Sequence, residues 1–106
     1  MPPTTTSQFA ALARAVGDAA RAQQLRPPTF RSPPTTPGLV RSIRRWPDGG
    51  ATVAVRIRDR APAAVLADCI EGVLVANRLA GAAAVRARTA LWEHLGAHPV
   101  LGEAAA

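Results

Sequence analysis

The segment WPDG at positions 46–49 most constrains how this chain folds, because it joins two apolar segments with residues typical of a tight turn. Proline presets φ at the second turn position, and Gly49 accepts a left-handed backbone. The flanking segments are therefore predicted to form an antiparallel β-hairpin. Counting outward from the turn gives the pairs Ile43 with Val53, Arg41 with Val55, and Leu39 with Ile57.

The alternation of side chains along the two strands predicts one interior and one exterior face. The apolar set is expected to pack inward: Leu39, Ile43, Val53, Val55 and Ile57. The opposite set is expected to face solvent or a ligand: Ser42, Arg44, Trp46, Thr52, Arg56 and Arg58. Arg41 and Arg45 fall on the interior side and are expected to reach past the edge of the core. A slip of one residue would exchange the two sets.

Residues 39–60 carry most of the charge of the chain. Six of the thirteen arginines lie there against two aspartates, which gives this segment +4 of the formal net charge of +6. The chain has no lysine, but an arginine- and alanine-rich composition is typical of a high-GC genome, so this absence does not indicate phosphate recognition. The sign and the placement of the charge still favour an anionic partner.

The segment before the hairpin is predicted to hold one helix and one connector. In residues 1–26, Thr5 and Gln8 have the spacing of a capping box, so a helix should begin there after a frayed start. Phe9, Leu12 and Val16 recur at helical spacing, and the helix should end before Pro27. Residues 27–37 contain five prolines and are predicted to be a semi-rigid connector from which Phe30 reaches the core. A proline-rich ligand for an SH3-type partner is the less favoured alternative.

The helix that begins at Pro62 is predicted to be the central element. Its apolar residues cover a broad arc that consists of Val65, Leu66, Cys69, Ile70, Val73 and Leu74, and Val75 and Leu79 extend it to a second side. Gly72 is expected to mark the close approach of another helix. Asp68, Glu71 and Arg78 are expected to form a strip that faces water.

A last helix is predicted over residues 82–95, with Gly96 as its stop. Its buried side is expected to consist of Val85, Leu91, Trp92 and Leu95. Arg88 lies four residues before Trp92, close enough for a cation–π contact. Residues 97–106 are predicted to be a flexible tail.

These elements predict an α+β fold in the order α-β-β-α-α, with one antiparallel β-hairpin packed on the central helix and a ββαα core over residues 38–96. A chain of 106 residues has a thin core, so we expect a homodimer or another partner to cover part of it. Because an isolated two-stranded hairpin is marginal in water, a four-stranded sheet across such a dimer is plausible.

The sequence contains no signature of an enzyme or of a bound cofactor. It has no glycine-rich phosphate loop and no nucleophile elbow. His94 and His98 lie four apart beside Glu93, but Gly96 should end the helix between them, so we interpret them as surface histidines rather than metal ligands. Cys69 lies on an apolar stripe, where cysteine acts as a small hydrophobic residue. We therefore expect a non-enzymatic protein without metal or cofactor.

The expected location is the cytoplasm. The single cysteine cannot form an internal disulfide, and the start MPPTTTSQF lacks the basic and apolar regions of a signal peptide. No uncharged apolar run approaches the ~20 residues that a membrane-spanning helix needs.

The order strand, helix, helix over residues 53–95 resembles that of ribbon-helix-helix DNA-binding dimers. In that family a single strand pairs across the dimer and the first helix is shorter, whereas here the strand already has a hairpin partner, so no base-reading residue is transferred. The stretch VRSIRRWPDGGATVAVRIRDRAPAAVLADCIEGVLVANRL is more similar to small uncharacterised basic proteins of high-GC actinobacteria. That resemblance implies no function.

The leading hypothesis from the sequence is that the hairpin contacts DNA or RNA with little sequence preference. The candidate residues are Arg44, Arg56 and Arg58, whose guanidinium groups suit phosphate, and Trp46, whose indole can stack on a base. The ordinary alternative for these arginines is a solvated strand face that resists aggregation. The alternative function is a protein-interaction or structural accessory module that docks on an acidic protein.

Overall fold

The computed structural model describes residues 3–33 and 41–96, which form three helices and one three-stranded sheet. The elements are α1 (Thr6–Ala22), β1 (Thr29–Arg31), β2 (Arg41–Arg45), β3 (Ala51–Val55), α2 (Pro62–Ala76) and α3 (Gly81–Gly96). The strand order is β1-β3-β2, with β1 parallel and β2 antiparallel to β3. The predicted α+β class is confirmed. Whether the sheet continues into a second chain stays a prediction.

Helix α1 begins as its sequence predicts. The Thr5 hydroxyl accepts the Gln8 N–H at 3.1 Å, and the Gln8 side chain accepts the Thr5 N–H at 2.8 Å, which completes the capping box. Phe9, Leu12 and Val16 are buried. The expected frayed start is wrong at Thr4, which is 6% exposed and whose N–H and hydroxyl both donate to the carbonyl of Arg60.

The predicted connector over residues 27–37 is wrong in part, because residues 29–31 form β1. This strand pairs in parallel with β3, with Phe30 opposite Val53. Phe30 packs against the core as predicted. Three residues between prolines are too short for a recognisable strand pattern, and β1 forms because β3 offers a second edge. Residues 34–37 lie outside the described residues.

The hairpin has the predicted register: Arg41 pairs with Val55 and Ile43 with Val53. In the turn, the Trp46 carbonyl accepts the Gly49 N–H at 3.0 Å, and Gly49 adopts a φ of 90°. The expected pairing of Leu39 with Ile57 involves a residue that is not described. The predicted inward face is confirmed where it can be seen, since Val53 and Val55 are fully buried and Ile43 packs against the core.

Helix α2 is the central element, since it packs on β2, β3 and both other helices. The close neighbour of Gly72 is a strand and not the predicted helix: a Cβ at this position would lie 2.7 Å from Val53 Cγ1. Val75 is exposed, although Leu79 packs on the core. The predicted strip of water-facing residues is wrong for Asp68 and Glu71, which form ion pairs with arginines of other elements.

Helix α3 buries a narrower stripe than predicted. Leu91 and Leu95 are buried as expected, and Ala84 joins them. Val85 and Trp92 are 57% and 40% exposed, so their predicted burial is wrong. Each lies one position, about 100° around the helix, beyond a buried residue. Arg88 bonds to Glu71 and not, as the spacing suggested, to Trp92.

Candidate nucleic-acid interface

The sheet has one face covered by helices and one face that the described residues leave open. Val53 and Val55 of β3 are buried under α2, whereas Thr52 and Ala54 point away from the helices and are partly exposed. The register brings side chains of the outer strands beside them on the same side. We call this set the open face: Thr29, Arg31, Ser42, Arg44, Thr52 and Ala54.

Trp46 lies at the end of the open face beside Arg44. The guanidinium carbon of Arg44 is 4.3 Å from the centre of the indole, within the range of a cation–π contact. The indole Nε1 donates a hydrogen bond to the Thr52 hydroxyl at 2.9 Å. Two contacts therefore fix the orientation of a ring that remains 41% exposed.

Arg56 directly follows β3 and continues the alternation that places Thr52 and Ala54 on the open face. Its side chain is partly buried, and its Nε is buried without a hydrogen-bond partner in the part of the chain that the structure describes. A buried guanidinium nitrogen loses its hydration, which lowers the cost of removing the remaining water when an anion binds. Arg56 lies toward the end of β3 away from Trp46, and no contact among the described residues links it to Arg44 or Trp46, so its role in the site stays a prediction.

Arg58 is placed differently from the other candidates. It lies in the turn between β3 and α2, its side chain is 71% exposed, and its Nε is 4.0 Å from the Asp59 carboxylate. No contact among residues 3–33 and 41–96 connects it with Arg44 or Trp46. It extends the basic surface beyond the strands rather than forming part of the open face.

The sequence interpretation missed Arg31, which β1 brings onto the open face. Arg31 is exposed and pairs with Ala54, across β3 from Ser42. Together with Pro33 and Trp46 it lines a hollow over β2 and β3. The sequence signal for β1 was weak, because in residues 29–31 a single apolar residue lies between two polar ones.

Ion pairing separates the arginines of the two sheet faces. On the covered side, Arg41 and Arg60 both bond to Asp68, and Arg45 donates to the Val75 carbonyl at the end of α2. The described ion pairs elsewhere include Arg21 with Asp18, Arg26 with Asp48, and Arg88 with Glu71. Within residues 3–33 and 41–96, Arg31, Arg44 and Arg56 have no carboxylate within ion-pair distance. The open face is therefore basic and uncompensated.

The other candidate groups lie away from this face. Cys69 is buried in the core as predicted, and burial, followed by the charge of Asp68, raises the pKa of its thiol to about 12. His94 is exposed in the last turn of α3, and His98 lies outside the described residues. Where the structure describes the chain, it contains no cluster of three or more potential metal ligands.

Within the described residues, each helix is too short or too polar to cross a bilayer. Comparisons with protein-family models, curated proteins and solved structures gave no match to this chain.

Proposed function

We propose that this protein is a non-enzymatic binding protein that contacts nucleic acid through the open face, with little sequence preference. The observation that carries the proposal is that Arg31 and Arg44 line one hollow on the same side of the sheet, and that they and Arg56, which follows β3, have no carboxylate partner among the described residues. Trp46 supplies a flat ring at the same place. Arg58 adds a peripheral cation.

Charge and geometry support this function in different ways. An arginine already bonded to a carboxylate gains little from a phosphate, whereas an uncompensated one gains a charge-assisted pair. Arg31 lies on β1, Arg44 on β2 and Arg56 directly after β3, so together their guanidinium groups fit a row of phosphates better than one compact anion. Because contacts to the phosphate backbone carry no base information, the expected specificity is low.

The test is a fluorescence anisotropy titration of labelled random-sequence DNA and RNA over a series of salt concentrations. Three phosphate contacts predict a log–log slope of roughly −2 to −3, since each contact contributes about 0.7 for single strands and 0.9 for duplex. The triple variant R31A/R44A/R56A should bind about a hundredfold more weakly, because both the phosphate contacts and the support of Trp46 are lost.

A matched control is available in the triple variant R14A/R78A/R86A. These three arginines are exposed, lie off the sheet and form no ion pair with the described residues, and their loss changes the net charge by the same amount. If binding depends on the open face, the control should lose less than about fivefold. Equal losses in the two variants, or no binding by wild type at low salt, would contradict the proposal.

A second candidate function is docking on an acidic protein, and one observation favours it. Strand β2 has a neighbour on one side only within the described sheet, so its other edge offers free backbone groups to an added strand. Arg44 lies on this strand without a carboxylate partner among the described residues and would attract an acidic segment. The Trp46 N–H donates to the Gly50 carbonyl, so the alternating pattern of the hairpin turns the N–H of Arg45 toward the free edge. A stoichiometric protein partner that survives nuclease treatment and is lost on Arg45→Pro, which removes this outward donor of β2, would favour this function.

A further inference from the structure

The open face has a shape that distinguishes between single-stranded and duplex nucleic acid. It consists of strands of three to five residues, so it spans about 10 Å across and roughly 15 Å along. Duplex DNA is commonly read by a helix or ribbon that enters a groove. Among the described residues, the buried side chains of β3 face α2, and the hollow on the other side of the sheet is lined by residues of the three strands with Pro33 and Trp46.

The hairpin tip is poorly suited to entering a groove. Asp48 is exposed there, and its carboxylate accepts the Gly50 N–H at 2.8 Å. Arg26 donates to the Asp48 carbonyl at 3.1 Å, which ties the tip back to the segment after α1. The Asp48 carboxylate is also 4.0 Å from the Arg26 guanidinium, so the tethered tip offers no excess positive charge to the phosphates that border a groove.

The pair of Arg44 and Trp46, in contrast, is suited to an unpaired base. Bases of single strands stack on aromatic rings and on guanidinium planes, and both surfaces are present here within 4.3 Å of each other. The hydrogen bond from Trp46 to Thr52 fixes the ring before a ligand arrives, so little side-chain entropy is lost on binding. A base inside a duplex already has stacking partners on both faces and cannot use this pair.

The remaining arginines lie at distances that suit the phosphates beside such a base. Arg31 is on the far outer strand, two strand spacings or about 10 Å from the line of β2, and Arg56 lies about 7 Å beyond Ala54 along β3. We propose that the ligand of the open face is a single strand of about four nucleotides, with one base stacked on the pair of Arg44 and Trp46 and phosphates bound by Arg31 and Arg56. This inference rests on the proposed function and specifies its ligand.

The experiment uses Trp46 as its own reporter. The chain has two tryptophans, and Trp92→Phe on α3 leaves Trp46 as the single fluorophore. This variant is titrated with an oligothymidylate, with an abasic oligomer of equal length and with a blunt duplex. The oligothymidylate should quench Trp46 fluorescence and bind at least tenfold more tightly than the other two ligands at the same salt concentration, since stacking on one base contributes about that factor or more.

Substitution of the ring tests the stacking directly. Trp46→Leu, made with Trp92 present, should lower affinity for the oligothymidylate about tenfold to a hundredfold, while Trp46→Phe retains a flat ring and should recover part of the loss. Trp92→Leu is the matched control and should leave affinity unchanged. Circular dichroism confirms that each variant is folded.

The outcomes separate this inference from the proposed function. Binding of duplex or abasic oligomer as tightly as oligothymidylate, without quenching of Trp46, would overturn the single-strand inference and leave the proposed function intact. The absence of binding to any of the three ligands would overturn both.

Discussion

Both faces of the sheet carry arginine side chains, but the two sets differ in their ion pairing. On the covered face, Arg41 and Arg60 bond to Asp68, and this cluster joins β2, the loop after β3 and α2. On the open face, Arg31 and Arg44 have no carboxylate partner in the part of the chain that the structure describes. The arginines of the sheet and its loops therefore fall into two groups. One group forms ion pairs that stabilise the fold, and the other remains available to a ligand.

The largest effect on stability is expected from Asp68→Ala. The side chains of Asp68 and Arg60 are each 15% exposed, so loss of the carboxylate leaves a nearly buried cation without its partner. The free energy of unfolding should fall by about 3 kcal/mol, measured by chemical denaturation. Asp18→Ala is the control: it removes a helix-surface pair with Arg21 that is more than half exposed, and it should change stability by less than about 0.5 kcal/mol. Equal effects would show that the covered cluster is no more structural than a surface pair.

A smaller effect is expected from Gly72→Ala, which tests how tightly the covered face is packed. The added methyl would meet Val53 Cγ1 at 2.7 Å, and the resulting strain should exceed the gain in helix propensity. The free energy of unfolding should fall by about 2 kcal/mol in a denaturation experiment. Gly17→Ala in α1 is the matched control, because its methyl makes ordinary contacts at 3.7 Å or more; it should raise stability by about 0.5–1 kcal/mol. An increase for both variants would contradict the close contact.

The ion pair between Glu71 and Arg88 should give a smaller, pH-dependent effect. Hydrogen bonds from Arg88 hold the pKa of the Glu71 carboxyl below its usual range, against the opposing effect of burial. The folded state therefore favours the ionised carboxylate, so its contribution is present at neutral pH and is lost as pH falls through the lowered pKa. The stability difference between wild type and Glu71→Gln should shrink as pH falls from about 5 to about 3. A difference that is constant with pH would contradict this coupling.

The smallest effect on stability is expected on the open face. Arg31→Ala removes an exposed side chain without a described ion-pair partner and should change the free energy of unfolding by less than about 0.5 kcal/mol. Arg60→Ala, on the covered side, should cost several times more in the same denaturation experiment, because it leaves Asp68 partly unpaired. Similar costs for the two substitutions would remove the distinction between structural and available arginines.

Those parts of the fold that depend on near neighbours in the chain could be predicted. The turn at positions 46–49 sets the register of β2 on β3, and the register sets which side chains share a face. The capping box of Thr5 and Gln8 is equally local. Four of the six residues of the open face follow from this register alone, namely Ser42, Arg44, Thr52 and Ala54, and so does the position of Trp46 at its end.

The parts that could not be predicted depend on residues distant in the sequence. Strand β1 exists because β3 has a free edge, and nothing within residues 29–31 signals it strongly. In the sequence Gly72 suggests a site of helix packing, whereas in the structure its close neighbour is Val53 of β3. The periodicity of α3 also leaves its buried side ambiguous, since Val85 and Trp92 fit an apolar stripe as well as Ala84 does.

The sequence by itself determined the hairpin, its two faces and the excess of positive charge, because turn geometry and strand alternation act over a few residues. Only the tertiary structure decided which arginines are neutralised. Arg41 meets Asp68 across 27 positions, and Arg88 meets Glu71 across 17. Such pairings depend on how α2 and α3 pack, and local patterns do not specify that packing. The pairing of β1 with β3, which is equally distant in the sequence, brought Arg31 to the open face on the far side of β3 from Arg44, and this extended the candidate site.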